Sequence, residues 1–195
     1  MRINSAQKTA SVSLAFNTVY CVYHIVLGAI TASWWFLTIG IYYSVLSVAR
    51  FVVLCCKKNK HHLVKFTGII LTVLSISLVG TVILTFVNDR SSVLPLIAIL
   101  TVATYTFTNI SLAIINWLKV RRSTSAKIIT LRNISLANAF VSIFSLQRSM
   151  LVSFEEMTKT EIRIMNMATG SVVCIIVFLI GINLLKQKEI VNEKF

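Results

Sequence analysis

The sequence predicts an all-α protein, a polytopic transmembrane bundle of six helices with both termini cytoplasmic. Of 195 residues, 56% are hydrophobic and 13% charged, and the mean hydropathy is +0.84, which leaves a soluble domain too little polar surface to cover itself. Six apolar segments reach the roughly 20 residues that cross a hydrocarbon core about 30 Å thick. Lys and Arg are concentrated in every second connection, as the positive-inside rule describes.

The six predicted spans are residues 10–31, 32–56, 66–87, 94–118, 128–154 and 164–185. Each is continuously apolar and lacks the alternation of the roughly ten-residue strands in a transmembrane barrel. The first run is longer than the core of a signal peptide, so we expect it to be retained as a span. The chain is therefore predicted to form one six-helix transmembrane domain (10–185), which lies between a cytoplasmic N-terminal tail (1–9) and a cytoplasmic C-terminal tail (186–195).

The orientation follows from the cations outside the spans. The two tails and the second and fourth connections contain thirteen of them, against three in the first, third and fifth connections. Because the cation-rich side of a membrane protein faces the cytoplasm, both termini are predicted there. We expect a multi-pass protein of the cell membrane.

The net charge of +13 would suggest a nucleic-acid partner in a soluble chain. Here the cations are divided among short loops on one membrane face, without an interleaved aromatic platform. Juxtamembrane Lys and Arg each gain about 1 kcal/mol near an anionic leaflet. The predicted partners are therefore membrane lipids, including anionic headgroups at the cytoplasmic face, and no nucleic acid.

Polar residues inside the spans recur at helical spacing. Since each is costly in hydrocarbon, it is expected to face the bundle interior or a wet cavity, where helix–helix packing is the alternative to a ligand site. The stripes comprise Asn17, Cys21, His24, Gly28 and Thr31 in the first span; Gly40, Tyr43, Ser47 and Arg50 in the second; Thr101, Thr104, Thr108, Asn109 and Ser111 in the fourth; and Ser135, Asn138, Ser142, Ser145 and Ser149 in the fifth.

Arg50 and Arg148 stand out within the spans because neither has an intramembrane carboxylate to pair with. Arg50 is one and a half to two helical turns from Lys57, so snorkelling to the cytoplasmic interface explains it without a function. Arg148 lies towards the outer end of the fifth span. Its expected partner is an outside carboxylate, Asp89, Glu155 or Glu156.

His24 lies in the outer half of the first span. Two roles are open for its side chain. It is either a neutral imidazole hydrogen-bonded to a Tyr or Ser, or a residue that contacts a ligand. No span contains an acidic relay or ring of the kind that proton-coupled transporters and cation channels use. A cavity in this bundle would therefore favour a neutral or anionic ligand.

The four cysteines lie within or at the ends of spans, and no Cys-x-x-Cys occurs, so no disulfide is predicted. Cys55, Cys56, His61 and His62 form two neighbouring pairs beside lysines. This arrangement lacks the spacing of zinc ligands and places cations against a dication. We predict no metal and no cofactor.

Signatures of catalysis are missing. The pair Glu155–Glu156 begins like the motif of intramembrane CAAX-type proteases, but Thr160 stands where that motif requires arginine. No Gly-x-Ser-x-Gly, His-Glu-x-x-His or P-loop sequence is present. The protein is predicted not to be an enzyme.

Two stretches of the chain are similar to sequences of a known group of proteins. They are GAITASWWFLTIGIYYSVLSVARF at 28–51 and RNISLANAFVSIFSLQRSMLVSF at 132–154. They resemble an uncharacterised family of small six-span membrane proteins from Gram-positive bacteria, over about a quarter of the chain. The shared features are the Trp-Trp-Phe start and mid-span Tyr-Tyr of the second span, its following Arg, and Ser-Leu-Gln in the fifth. The resemblance implies the fold and no activity.

Two functions remain. The first is a small-molecule-binding or transport-associated membrane subunit for a neutral or anionic ligand, similar in size and span number to the substrate-capturing components of energy-coupling-factor importers. The second is a noncatalytic regulatory, immunity or scaffold protein that packs against a membrane-protein partner. For the first, the candidate ligand-binding residues are Asn17, His24, Tyr43, Arg50, Asn138, Ser142 and Arg148.

Overall fold

A computed structural model describes residues 2–31, 33–55, 60–87, 96–120, 125–153 and 157–192. They form six helices: α1 (Arg2–Thr31), α2 (Trp34–Cys55), α3 (Lys60–Val87), α4 (Leu96–Val120), α5 (Ala126–Ser153) and α6 (Lys159–Asn192). All six are long and apolar enough to cross a membrane, and the described residues include no strand. The predicted all-α transmembrane bundle is confirmed.

The predicted spans agree with these helices to within a few residues. The apolar parts are Ala10–Thr31, Trp34–Cys55, Leu63–Ile83, Leu96–Leu118, Lys127–Ser153 and Lys159–Lys186. Two helices extend into the predicted tails, since α1 begins at Arg2 and α6 ends at Asn192. The single proline, Pro95, precedes the first residue of α4 in the sequence, so none of the six described helices contains the residue type that breaks a helix interior.

Local hydrogen bonds define two helix ends. Thr158 and Glu161 form a capping box at the start of α6, in which the Glu161 carboxylate accepts from the Thr158 amide at 2.9 Å and the Thr158 hydroxyl accepts from the Glu161 amide at 3.3 Å. Lys127 of α5 donates its Nζ to the Leu54 carbonyl at 2.7 Å. That bond satisfies a carbonyl in the last turn of α2.

Helix α5 is the centre of the bundle. It contacts all five other helices, and 67% of its span is buried, against half or less in every other span. This explains why its polar side chains are so numerous, because a central helix exposes little surface to lipid. Helices α1, α2 and α4 surround one side of α5, while α3 and α6 pair with each other on another.

The α3–α6 pair is closely packed around two glycines. A Cβ placed on Gly181 would lie 2.7 Å from Thr72 Oγ1, and one placed on Gly68 would lie 3.1 Å from the Gly181 carbonyl oxygen. Small residues at these points allow the two backbones to approach. The polar interior described below lies among α1, α2, α4 and α5.

Candidate functional site

Arg50 of α2 is the centre of the most unusual environment in the bundle, because its side chain is completely buried. Its guanidinium donates to the Ser13 hydroxyl of α1 through Nη1 and to the Ser135 hydroxyl of α5 through Nη2 at 3.4 Å. Asn116 of α4 also donates to Ser135, at 3.4 Å. We call Ser13, Arg50, Asn116 and Ser135 the arginine layer.

This burial overturns the expectation that Arg50 snorkels to the interface. A snorkelling side chain keeps its charged end in water, whereas the Arg50 guanidinium lies between α1 and α5. No carboxylate of α1 to α5 can pair with it, since residues 2–88 and 90–154 contain no Asp or Glu. Among the described residues, only serine hydroxyls hydrogen-bond to the Arg50 guanidinium.

One helical turn further along, three amides and a phenol form a second layer. Asn138 of α5 donates from Nδ2 to Asn17 Oδ1 of α1 at 3.0 Å and to Asn109 Oδ1 of α4 at 3.0 Å. The Tyr105 hydroxyl of α4 donates to the same Asn17 oxygen. We call Asn17, Tyr105, Asn109 and Asn138 the asparagine layer, and the two layers together the polar column.

Spacing along the helices explains why the layers are stacked. On α1, Ser13 precedes Asn17 by four residues, and on α5, Ser135 precedes Asn138 by three. Residues three or four apart lie on one face of a helix, one turn above the other. These two helices thus contribute one group to each layer, and the polar column runs along the axis of the bundle.

Aromatic rings cover the asparagine layer. Tyr20 stacks on Tyr105 with ring centroids 3.4 Å apart and planes inclined by 8°, and Tyr43 meets Tyr105 edge-on at 5.6 Å. His24 contacts Tyr20 at 4.2 Å and Tyr43 at 6.0 Å. We call Tyr20, His24 and Tyr43 the aromatic cluster.

His24 is packed in a way that the sequence did not predict. The expected hydrogen bond to a Tyr or Ser side chain is absent, because neither ring nitrogen has a side-chain partner among the described residues. Ring contacts hold the imidazole instead, including one with Phe36 at 5.8 Å. His24 therefore belongs to the aromatic cluster rather than to the polar column.

Ser142 is fully buried but turns its hydroxyl to its own helix, donating to the Ala139 carbonyl at 2.9 Å. The Ser142 carbonyl accepts from Thr106 Oγ1 of α4 at 3.1 Å. The bond from Thr106 joins α4 to α5 close to the asparagine layer. Ser142 thus lies in the interior, as predicted, and its backbone carbonyl rather than its hydroxyl makes the contact with α4.

Arg148 lies at the opposite end of α5 from the arginine layer, which Ser135 marks on the same helix. Its guanidinium carbon is 4.2 Å from the centre of the Trp35 ring of α2, a cation–π contact, and Trp35 in turn meets Phe144 edge-on at 5.5 Å. The predicted partners Asp89, Glu155 and Glu156 lie outside the described residues. The contact with Trp35 was not predicted, because Trp-Trp pairs at span ends usually indicate interfacial anchors.

The structure thus divides the seven predicted site residues. Asn17, Arg50 and Asn138 are in the polar column, His24 and Tyr43 are in the aromatic cluster, and Ser142 and Arg148 lie elsewhere along α5. The prediction missed Ser13, Tyr105 and Asn116 as members of the column. A signal for the last two existed, since Tyr105, Asn109 and Asn116 recur at helical spacing on α4.

The predicted polar stripe of α4 was wrong for most of its members. Thr101, Thr104 and Ser111 are exposed, and Asn109 alone of the five is buried. The threonines face outward at little cost because each donates to a backbone carbonyl of its own helix; the bonds from Thr101 and Thr104 are both 2.8 Å long. Such a hydroxyl needs no partner from another helix.

The interior is closely packed at the candidate residues. Asn17, His24, Tyr43, Arg50 and Ser142 have no accessible surface, so these side chains border no space that admits a water molecule. The sequence had left open whether the polar stripes enclose a cavity. At these five positions they enclose packed side chains.

Several polar atoms inside this packing have no partner among the described residues. In the two layers, the unpartnered atoms that can only donate are Arg50 Nε, Asn17 Nδ2 and Asn109 Nδ2, and the unpartnered acceptor is Asn138 Oδ1. A buried polar group without a hydrogen bond costs about 1 to 3 kcal/mol. The polar column therefore has a surplus of donors and one buried positive charge, which are the properties of a site for an anion or for a neutral hydrogen-bond acceptor.

Grooves on the outside of the bundle are apolar. One of about 430 Å³ lies between α2 and α3, and one of about 450 Å³ lies between α1 and α4. The second borders the polar column, because Tyr105 of the asparagine layer lines it. Three of the four residues in the sequence arrangement compared with a zinc site are Cys56, His61 and His62. Their side chains lie outside the described residues.

Comparison with known proteins assigns no family. No family model matches the chain, and no curated protein is similar to it. The resemblance of residues 28–51 and 132–154 to small Gram-positive membrane proteins stays a prediction. The polar column is therefore the feature of the molecule from which a function is inferred.

Proposed function

We propose that this protein is a noncatalytic, small-molecule-binding subunit of the cell membrane, and that Arg50 binds a small anionic or neutral ligand within the polar column. The observation that carries the proposal is the burial of Arg50 between two serine hydroxyls in a part of the chain without Asp or Glu. A charge at membrane depth is costly unless it is paired, and it marks a substrate or ion pathway in many membrane proteins.

The surplus of donors supports the same proposal. An anionic or carbonyl oxygen beside Arg50 accepts the hydrogen bond that the protein itself leaves unmade at Arg50 Nε, and the next layer offers a further unpartnered donor at Asn17 Nδ2. A planar guanidinium is well suited to this because it binds carboxylate and phosphate groups through two parallel bonds. The packing at these residues means that the ligand is admitted by a movement of side chains or helices.

The experiment is copurification in a mild, uncharged detergent, followed by mass spectrometry of the small molecules that denaturation releases. We expect one anionic or neutral compound in near-stoichiometric amount with the wild-type protein. In the Arg50→Gln variant its amount falls at least tenfold, since a hydrogen bond to a charged group is worth about 1.5 to 3 kcal/mol. The matched control is Arg132→Gln, at a partly exposed arginine of α5, which should retain the compound.

The second candidate function is regulation or scaffolding by helix packing with a membrane-protein partner. The close packing of the interior favours it, and α3 offers a surface for such a partner, because Gly80 is exposed and a Cβ added there would meet no atom within 4 Å. An identical small-molecule profile for wild type and Arg50→Gln, together with a stoichiometric membrane protein in both samples, would select this function over ligand binding.

The proposed orientation places both termini and the cation-rich connections in the cytoplasm, where anionic lipid headgroups attract them. Single cysteines introduced as Asn59→Cys or Ser123→Cys, after replacement of the native cysteines, should resist a membrane-impermeant thiol reagent in intact cells. The control Ser92→Cys, in the third connection, should react. Labelling at Asn59 and Ser123 with protection at Ser92 would reverse the orientation.

A further inference from the structure

The groove between α1 and α4 is effectively apolar although three threonines line it. Thr101, Thr104 and Thr108 each donate to a carbonyl four residues earlier on α4, at 2.8 Å, so the groove receives their methyl groups rather than free hydroxyls. Phe16 of α1 lies at the same end of the groove as Thr108, and Ile97 at the far end. From Ile97 to Thr108 the groove follows about 16 Å of helix, at 1.5 Å per residue.

The inner end of this groove adjoins the polar column. Phe16 in the groove directly precedes Asn17 in the asparagine layer, and Tyr105 belongs to both, since its ring lines the groove while its hydroxyl bonds to Asn17. The buried charge of Arg50 is one helical turn further, through Ser13. An apolar slot on the membrane-facing surface thus adjoins a cationic, donor-rich interior, and the packed side chain of Tyr105 separates the two.

We infer that the ligand of the polar column is a single-chain anionic amphiphile: its apolar chain lies in the groove between α1 and α4, and its carboxylate or phosphate head is bound by Arg50. This inference rests on the proposed function and specifies its ligand. Tyr105, the residue shared by the groove and the column, forms the boundary between the two parts of the site, and Tyr20 stacks on it. The head group replaces the bond between Tyr105 and Asn17 and accepts from the donors that the column leaves unpartnered.

A neutral polar solute would make no use of the groove, and an uncharged lipid would make no use of Arg50. The charge complementarity and the adjacency of the two parts therefore select one class of molecule. The chain direction is also determined, because the charged end lies beside Phe16 and Thr108 and the chain extends towards Ile97.

The test uses the full-length protein in nanodiscs of uncharged phosphatidylcholine, with three probes: radiolabelled dodecyl phosphate, dodecanol and inorganic phosphate. We expect dodecyl phosphate to bind most tightly and Arg50→Gln to weaken it at least tenfold. Thr104→Trp, which fills the groove, should weaken dodecyl phosphate to a similar degree without changing the binding of inorganic phosphate. The matched control Ile114→Trp places the same ring at an exposed position of α4 and should leave both probes unaffected.

The outcomes separate this inference from the proposed function. Arg50-dependent binding of inorganic phosphate, with no gain from the dodecyl chain and no effect of Thr104→Trp, would overturn the amphiphile and leave the anion site standing. Binding of dodecanol as tight as that of dodecyl phosphate, unaffected by Arg50→Gln, would reduce the groove to a lipid contact and overturn the inference. If neither phosphate probe depends on Arg50, the amphiphile inference fails, and the proposed function survives only if the copurified compound is neutral and is lost in Arg50→Gln. Arg50→Lys, which keeps the charge, should bind dodecyl phosphate better than Arg50→Gln and thereby distinguishes loss of charge from misfolding.

Discussion

The Arg50→Met variant is expected to unfold at a higher temperature than the wild-type protein when both are free of ligand. The substitution removes a completely buried charge and replaces it with a flexible apolar side chain that fills irregular space. Replacing buried ionic groups with apolar ones of similar volume is often neutral or stabilising by about 1 to 4 kcal/mol. Ser13 and Ser135, released from the guanidinium, can turn to carbonyls of their own helices, as Ser142 does.

The measurement is thermal unfolding followed by tryptophan fluorescence in uncharged detergent, where 1 kcal/mol corresponds to about 2–4 °C for a chain of this length. The control Arg132→Met alters a partly exposed arginine and should shift stability by no more than about 0.5 kcal/mol. Addition of ligand should stabilise the wild type and leave Arg50→Met unchanged. A marked loss of stability in ligand-free Arg50→Met would instead make Arg50 a structural residue whose bonds to α1 and α5 hold the bundle together.

The largest loss of stability among polar substitutions is expected for Asn138→Leu. Asn138 joins α5 to both α1 and α4 through two bonds of 3.0 Å, and its removal leaves the Asn109 oxygen without that donor in a closely packed interior. An acceptor left unsatisfied inside a protein costs about 1 to 3 kcal/mol, and the branched leucine must also fit the space of a planar amide.

The control for this variant is on the same helix. Asn133→Leu changes a partly exposed asparagine, and a leucine facing lipid at that position should be neutral or stabilising. In a double-mutant cycle, Asn17→Leu and Asn138→Leu should be non-additive by more than about 0.5 kcal/mol because the two amides are directly bonded. Additive effects, or equal effects at positions 133 and 138, would mean that the asparagine layer contributes nothing specific to the fold.

The sequence predicted the fold well because length and apolarity alone determine a membrane helix. It also predicted the polar face of α5, where Ser135, Asn138 and Ser142 recur at helical spacing and are all buried. The same reasoning failed on α4, because Thr101 and Thr104 satisfy their hydroxyls on their own backbone. Periodicity identifies a face, but it does not say whether that face needs a partner from another helix.

The environment of Arg50 could not be predicted from its spacing to Lys57. Spacing along α2 gives the reach of the side chain, whereas its burial depends on how α1 and α5 cross α2 and place Ser13 and Ser135 around it. Tyr105 was missed for a related reason. A tyrosine in an apolar helix usually indicates a packing residue, and its bond to Asn17 becomes apparent only when α1 and α4 are placed side by side.

Ligand binding at Arg50 is best tested by an experimental structure of the protein purified from its native membrane, at a resolution that distinguishes bound ligands. We expect density beside Arg50 that the polypeptide does not explain, with an oxygen within about 3.2 Å of Nε. A guanidinium bonded only to Ser13 and Ser135, enclosed by closely packed side chains and without additional density, would contradict it.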